Sequence, residues 1–190
     1  MPKLYSLILL VFLFGACHTP KELPEQASPK ASFVPKQKGT VWTYRYTFHN
    51  QEKEPIEQKL ELLQTEQKAD GLYLDLNQAK WLLRNDTLFV RCQGRGGGEF
   101  QAPLYLPTAD SSTYNTCKGD VFMQVSAKRL PPKEILGKRY EDRFSYQIGP
   151  YERVEYALGL GVTLHQYFGI GQKLETQMEL IDFQLGVGED

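Results

Sequence analysis

Between residues 40 and 49 the even positions read Trp42, Tyr44, Tyr46 and Phe48, while the odd positions read Thr43, Arg45, Thr47 and His49. Successive side chains of an extended chain point to opposite faces, so this segment has one aromatic face and one wet face. On a helix the same four rings would scatter around the axis. The period of two recurs down the chain. Leu60 and Leu62 alternate with Glu57, Lys59 and Glu61; Leu72, Leu74 and Leu76 bracket Tyr73 and Asp75; Phe100, Ala102, Leu104 and Leu106 share one side; Val121, Met123, Val125 and Ala127 alternate with Phe122, Gln124, Ser126 and Lys128. Longer stretches of the same kind cover 138–148, 151–158, 162–168 and 173–185, which predicts about ten strands in all.

Turn residues punctuate these runs. Asn85-Asp86 separates 81–83 from 87–92 as a hairpin, and Gly149-Pro150 and Gly169-Ile170-Gly171-Gln172 close two more. Gly159-Leu160-Gly161 interrupts or bulges a strand. Near 130–136, Pro131-Pro132 limits any helix to a turn or two. The fold expectation is all-β: an antiparallel meander curled into a half-barrel or barrel-like sheet, with a closed barrel or a sandwich as the other ways to cover one apolar face.

The chain begins differently. Residues 4–16 are almost wholly apolar after Lys3, and about thirteen residues at ~1.5 Å each fall short of a ~30 Å hydrocarbon core. This is the length of a signal-peptide core. Leu13-Phe14-Gly15-Ala16-Cys17 resembles a bacterial lipobox, with Phe14 where that motif usually has Leu. The resemblance implies cleavage before Cys17, a diacylglycerol thioether on its sulfur and acylation of the new amino terminus, hence a membrane partner reached through the lipid. Residues 18–38 carry Pro20, Pro24, Pro29 and Pro35 among Lys, Glu, Gln and Ser, a composition that reads as a tether extending up to roughly 60 Å. The expected organisation is therefore a signal over 1–16, the lipidated Cys17 and tether over 17–38, and one β domain over 39–190. By the same resemblance His18, which is not the aspartate of inner-membrane retention, favours the outer membrane and leaves the leaflet open.

Formal charge is −1, and loss of a signal carrying only Lys3 leaves −2. With both signs interspersed, this sets aside nucleic acid and electrostatic membrane binding. The opening Gly39-Thr40-Val41-Trp42-Thr43-Tyr44 and the late Tyr156-Ala157-Leu158-Gly159-Leu160-Gly161-Val162, together with the lipobox and tether, resemble a broad group of uncharacterised Bacteroidota lipoproteins. That resemblance implies an envelope location and no catalytic residues. An aromatic, lipidated antiparallel sheet is similar, by analogy, to the half-barrel carriers of lipoprotein localisation.

No motif carries chemistry. Gln93-Gly94-Arg95-Gly96-Gly97-Gly98-Glu99 lacks the following helix and Lys-Ser/Thr pair of a phosphate loop, and Gly159-x-Gly161 lacks the third glycine of a dinucleotide fingerprint. No nucleophile elbow surrounds Ser111-Ser112. His49 and His165 fall at polar strand positions without metal-ligand spacing and read as surface histidines. Asp142 shares a face with Tyr140, Phe144 and Tyr146, where burial would raise its pKa; the bland reading is an edge acid paired with arginine. Asn85-Asp86-Thr87 is a turn signal. Neither a metal nor a cofactor is implied, and an enzyme is not expected.

Once Cys17 is lipidated, Cys92 and Cys117 remain, and an exported compartment permits but does not require their pairing. Trp42, Tyr44, Tyr46, Phe144 and Tyr146 are the candidate liners of a concave face, or simply core. The expected function is a non-catalytic binding module for an apolar or amphipathic ligand. The alternative is an assembly lipoprotein gripping another envelope protein. A ligand-sized cavity would favour the first, and a filled core with an exposed apolar patch the second.

Overall fold

The computed structural model describes residues 34–93, 99–118 and 121–187. The signal, Cys17 and most of the tether, like the glycine run 94–98, lie outside the described residues. Strands β1 (Val41–Phe48), β2 (Ile56–Lys68), β3 (Gly71–Leu76), β4 (Lys80–Arg84), β5 (Thr87–Gln93), β6 (Glu99–Tyr105), β7 (Ser111–Lys118), β8 (Val121–Leu130), β9 (Lys133–Ile135), β10 (Lys138–Tyr140), β11 (Arg143–Ile148), β12 (Glu152–Ala157), β13 (Gly161–Phe168) and β14 (Leu174–Gln184) follow in order. The fold is all-β and antiparallel, with no α-helix among the described residues. Twelve strands form one sheet in the order β6-β5-β4-β3-β2-β1-β14-β13-β12-β11-β8-β7, and β9 and β10 form a separate hairpin. The first and last strands meet at the middle, where Trp42 pairs with Phe183 and Tyr44 with Leu180. From there two meanders curl away in opposite directions until their edges, β6 and β7, approach each other in a nearly closed barrel.

The strand count exceeds the expected ten for three local reasons. Residues 111–118 form β7 although Ser111, Thr113 and Asn115 face water and the segment shows no apolar alternation. The run 138–148 is broken by a bend at 141–142 into β10 and β11. The proline-limited segment after Leu130 is extended and becomes β9. Asn85 (φ 49°) and Asp86 (φ 57°) supply the two left-handed residues of the β4–β5 turn, as a two-residue hairpin with right-twisted strands demands.

The alternating apolar positions face inward and fill the barrel. Trp42, Tyr44, Leu62, Leu74, Leu88, Tyr105, Val125, Tyr146, Val154, Tyr156 and Leu160 belong to one buried cluster, and each large side chain so buried contributes about 1.5–3 kcal/mol. Tyr105 sits between Tyr146 and Tyr156, with ring centroids 5.1 and 5.4 Å away. Val34 already belongs to this core, so packing begins ahead of Gly39.

The edges meet without a backbone ladder. Tyr114 of the β7 edge donates its hydroxyl to Leu104 O of β6 at 2.8 Å, and Tyr146, two strands further in on β11, donates to Leu106 O just beyond β6 at 3.3 Å. Cys92 of β5 and Cys117 of β7 form a disulfide with Cα atoms 5.8 Å apart. Strand β6 runs away from Cys92, as its length requires, and β7 then returns antiparallel to place Cys117 at the same end. Cys92 shares a face with the core residue Leu88, whereas Cys117 lies opposite the face of Tyr114, so the bridge joins the inside of β5, the strand next to one edge, to the outside of β7, the other edge. Pro103 sits on β6, an edge strand, where its missing donor is tolerated.

Candidate binding site

In an antiparallel order alternate turns lie at one end, so the hairpin tips of β7–β8, β11–β12 and β13–β14 form a row of neighbours. Each tip presents apolar surface to solvent: Val121 and Phe122 are 56% and 54% exposed, Tyr151 is 54% and Ile170 is 93% exposed. Ile170 projects from a 3-10 turn, Ile170–Gln172, held by Gln172 N donating to Gly169 O and Gly169 N donating to Lys173 O. Gly171 in this turn has φ 74°. Val34 and Thr40 pack at the opposite end, where Thr40 N donates to Gln37 O and Thr40 Oγ1 accepts from Gly186 N.

Just inside the row, four polar side chains meet on the concave face. Glu152 of β12 accepts from Lys118 Nζ at 2.6 Å on one oxygen and lies 3.2 Å from His165 Nε2 on the other. Tyr167 Oη lies 3.3 Å from His165 Nδ1, with the two rings stacked at 4.1 Å. An imidazole protonated on Nε2 donates to Glu152 and leaves Nδ1 to accept from Tyr167. Burial pushes the Glu152 carboxyl up, but the hydrogen bonds from His165 and Lys118 outweigh it and hold the group below its ordinary value. Burial raises the Tyr167 hydroxyl, with the Glu152 charge adding to the effect, which keeps it neutral and a poor nucleophile. The arrangement can hold a polar or charged head group next to apolar tips. Among the described residues no three His, Cys, Asp or Glu side chains converge as metal ligands.

His165 was expected on the surface, and a β-bulge explains its inward position. The register of β12 against β13 pairs Tyr156 with Val162 and Glu155 with Leu164, so Thr163 is an extra residue. Beyond it the alternation reverses, turning Leu164 outward and His165 inward beside Met178 and Val154. The glycines at 159 and 161 mark an irregularity near here, but not which residue is doubled.

The aromatic candidates are placed as follows. Trp42, Tyr44, Phe144 and Tyr146 are 2%, 4%, 5% and 0% exposed, and Tyr46 is half-buried beside this core. Trp42 Nε1 donates to Leu160 O at 2.6 Å and Tyr44 Oη donates to Val162 O at 3.2 Å, so both polar ends are satisfied by the Gly159–Gly161 turn and its sequel. Burial raises the hydroxyls of Tyr44 and Tyr146 far above their ordinary value. Asp142 lies in the bend before β11, half-exposed and ion-paired with Arg129, not in the core. His49 is exposed beyond the end of β1.

No protein-family model matches the chain, and no curated protein matches it. Among solved structures, it is similar to a provisionally assigned lipoprotein from Parabacteroides distasonis, with a TM-score of 0.46 and 10% identity over 81% of this chain and 99% of that one. A provisionally assigned exported protein with a YmcC-like fold from Bacteroides fragilis gives 0.45 and 11% over the same shares. A LolA superfamily protein from Nitrosomonas europaea gives 0.25 and 10%, over 83% of this chain and 91% of that one.

Proposed function

We propose that this chain is a lipid-anchored lipoprotein of the bacterial envelope, seated in the outer membrane through Cys17, that acts without catalysis as a binding module. Its apolar or amphipathic ligand is held by the row of hairpin tips, with the Lys118–Glu152–His165–Tyr167 cluster against any polar head. The observation that carries this is the row itself: three consecutive hairpins expose Phe122, Tyr151 and Ile170 at one end, where water offers no reward for apolar side chains. The five aromatic residues expected to line an internal site are engaged in the core, so a ligand has readier access to the rim than to the axis.

The filled axis also favours the second reading, an assembly role in which the same tips grip another envelope protein. Native mass spectrometry of the full chain, extracted from its host membrane in mild detergent, separates the two. A co-purifying amphiphile that disappears from a Phe122→Ser/Ile170→Ser variant is the expected result. A co-purifying protein lost in the same variant replaces it with the assembly role, and identical bare spectra for both proteins overturn the binding module.

A further inference from the structure

A second concavity lies on the outer face of the sheet, remote in character from the apolar tips. Cross-strand register places Ser111 and Thr113 of β7, Ser126 and Lys128 of β8, Ser145 of β11 and Arg153 of β12 on one continuous face. Lys128 is opposite both Ser111 and Ser145, Ser126 opposite Thr113, and Gln147 between Ser126 and Arg153. The opposite face of the same strands carries the core residues Ala127, Tyr146 and Val154. These six line a groove of about 690 Å³ with no carboxylate in its wall. The four hydroxyls have no hydrogen-bond partner among the described residues, and Lys128 has no ion-pair partner there. Ser145 is only 4% exposed as a residue, yet its Oγ is not one of the side-chain atoms sealed from solvent without a partner, so the hydroxyl opens onto the groove, free to donate to a bound group.

The charge of the groove is set by its neighbours on the same outer face, where Glu155 stands directly opposite Ser145 and beside Arg153. Glu155 takes Arg143 Nη2 at 2.7 Å on one oxygen and Arg153 Nη2 at 2.9 Å on the other. Arg143 is buried, donates Nη1 to Pro131 O at 2.9 Å, and keeps an Nε with no partner. One carboxylate thus faces two guanidinium groups, and with Lys128 the groove carries a positive excess. No aromatic side chain lines it, so it lacks the stacking platform that a neutral sugar ring prefers.

We infer that this groove is a binding site for a phosphate-ester oxyanion, with Lys128 and Arg153 supplying charge and the hydroxyls of Ser111, Thr113, Ser126 and Ser145 donating to its oxygens. It is distinct from the rim and stands whether or not the rim reading holds.

The test titrates the full chain in non-ionic detergent with inorganic phosphate, glycerol 1-phosphate and glucose, following backbone amide chemical shifts. Parallel flotation uses the full chain with Cys17→Ser, which carries no lipid, and vesicles of phosphatidylglycerol or phosphatidylcholine. The two phosphates are expected to give saturable shifts centred on 111–113, 126–128 and 145. Lys128→Gln with Arg153→Gln weakens binding at least about tenfold, while Lys59→Gln with Lys80→Gln, which removes equal charge elsewhere, does not. Arg143 still holds Glu155 in the first variant, so the fold is kept and its spectrum shows it. Flotation with phosphatidylglycerol alone that falls in the first variant assigns the oxyanion to a lipid head group; shifts from soluble phosphates without flotation assign it to a free ester. Absence of saturable shifts, equal shifts from glucose, or equal loss in both variants overturns the site.

Discussion

The indole of Trp42 shows how a single side chain ties distant parts of this chain together. Its nitrogen reaches the carbonyl of Leu160, 118 positions along the chain, and both residues are buried. Trp42→Phe would leave that carbonyl unpaired and shrink the ring, and is expected to cost about 2–3 kcal/mol, read as a lower urea midpoint at unchanged slope. The neighbouring Gly161, at φ 108°, has room for a Cβ only 3.4 Å from the indole nitrogen, so alanine there adds strain to the same contact. At Glu152 the effect depends on pH. Its folded pKa lies below the ordinary 4.5, so the unfolded chain takes up its proton first. The ion pair therefore stabilises the fold above about pH 4.5, and that contribution is lost as pH falls from there through the lower folded value. Glu152→Gln should flatten the acid limb of stability against pH and leave the alkaline limb unchanged, as chemical unfolding at a series of pH values will show. Trp42 was legible as an inward residue from its neighbours alone; the Glu152–His165 pair was not, since period-two reasoning cannot see a doubled residue at Thr163.

Among the elements, the hairpin of β9 and β10 departs furthest from its sequence reading. Pro131-Pro132 excluded a long helix, but the two-residue turn that follows has no Asn-Gly signature: Leu136 takes φ 50° and Gly137 φ 73°. A leucine in the left-handed region is strained, and this one is also 47% exposed. Leu136→Asn is expected to raise stability by about 0.5–1 kcal/mol, measured as a higher unfolding midpoint; an unchanged or lower midpoint would mean that the leucine makes an essential contact. By contrast the β4–β5 hairpin was readable because Asn85-Asp86 tolerates the conformation that its turn requires. Strand β7 escaped notice for the opposite reason. Its inward positions carry Ser112, Tyr114, Thr116 and Lys118, too polar to register as an alternating strand, and two of these hydroxyls, Ser112 and Thr116, remain buried without partners.

At the scale of the whole molecule, the sequence carried the antiparallel curl but not its closure. Alternation tells which side of a strand is dry, whereas closure depends on how far twelve strands have rotated when the last meets the first. Here the answer is an overlap fastened by Cys92 and Cys117, 25 residues apart. A loop of that length corresponds to about 3.5 kcal/mol of chain entropy. Replacing both cysteines with alanine should lower stability by up to that amount and speed amide exchange in β6 and β7 before the rest of the sheet. Uniform exchange across all strands would show that the tyrosine contacts close the barrel by themselves. The clasp also has a timing. A chain still in a reducing compartment carries two thiols, and its β6 and β7 remain ordinary unpaired borders, open to any passing strand. Oxidation of the two thiols is therefore what turns these borders into a fastened overlap and removes a place where one copy could pair with another.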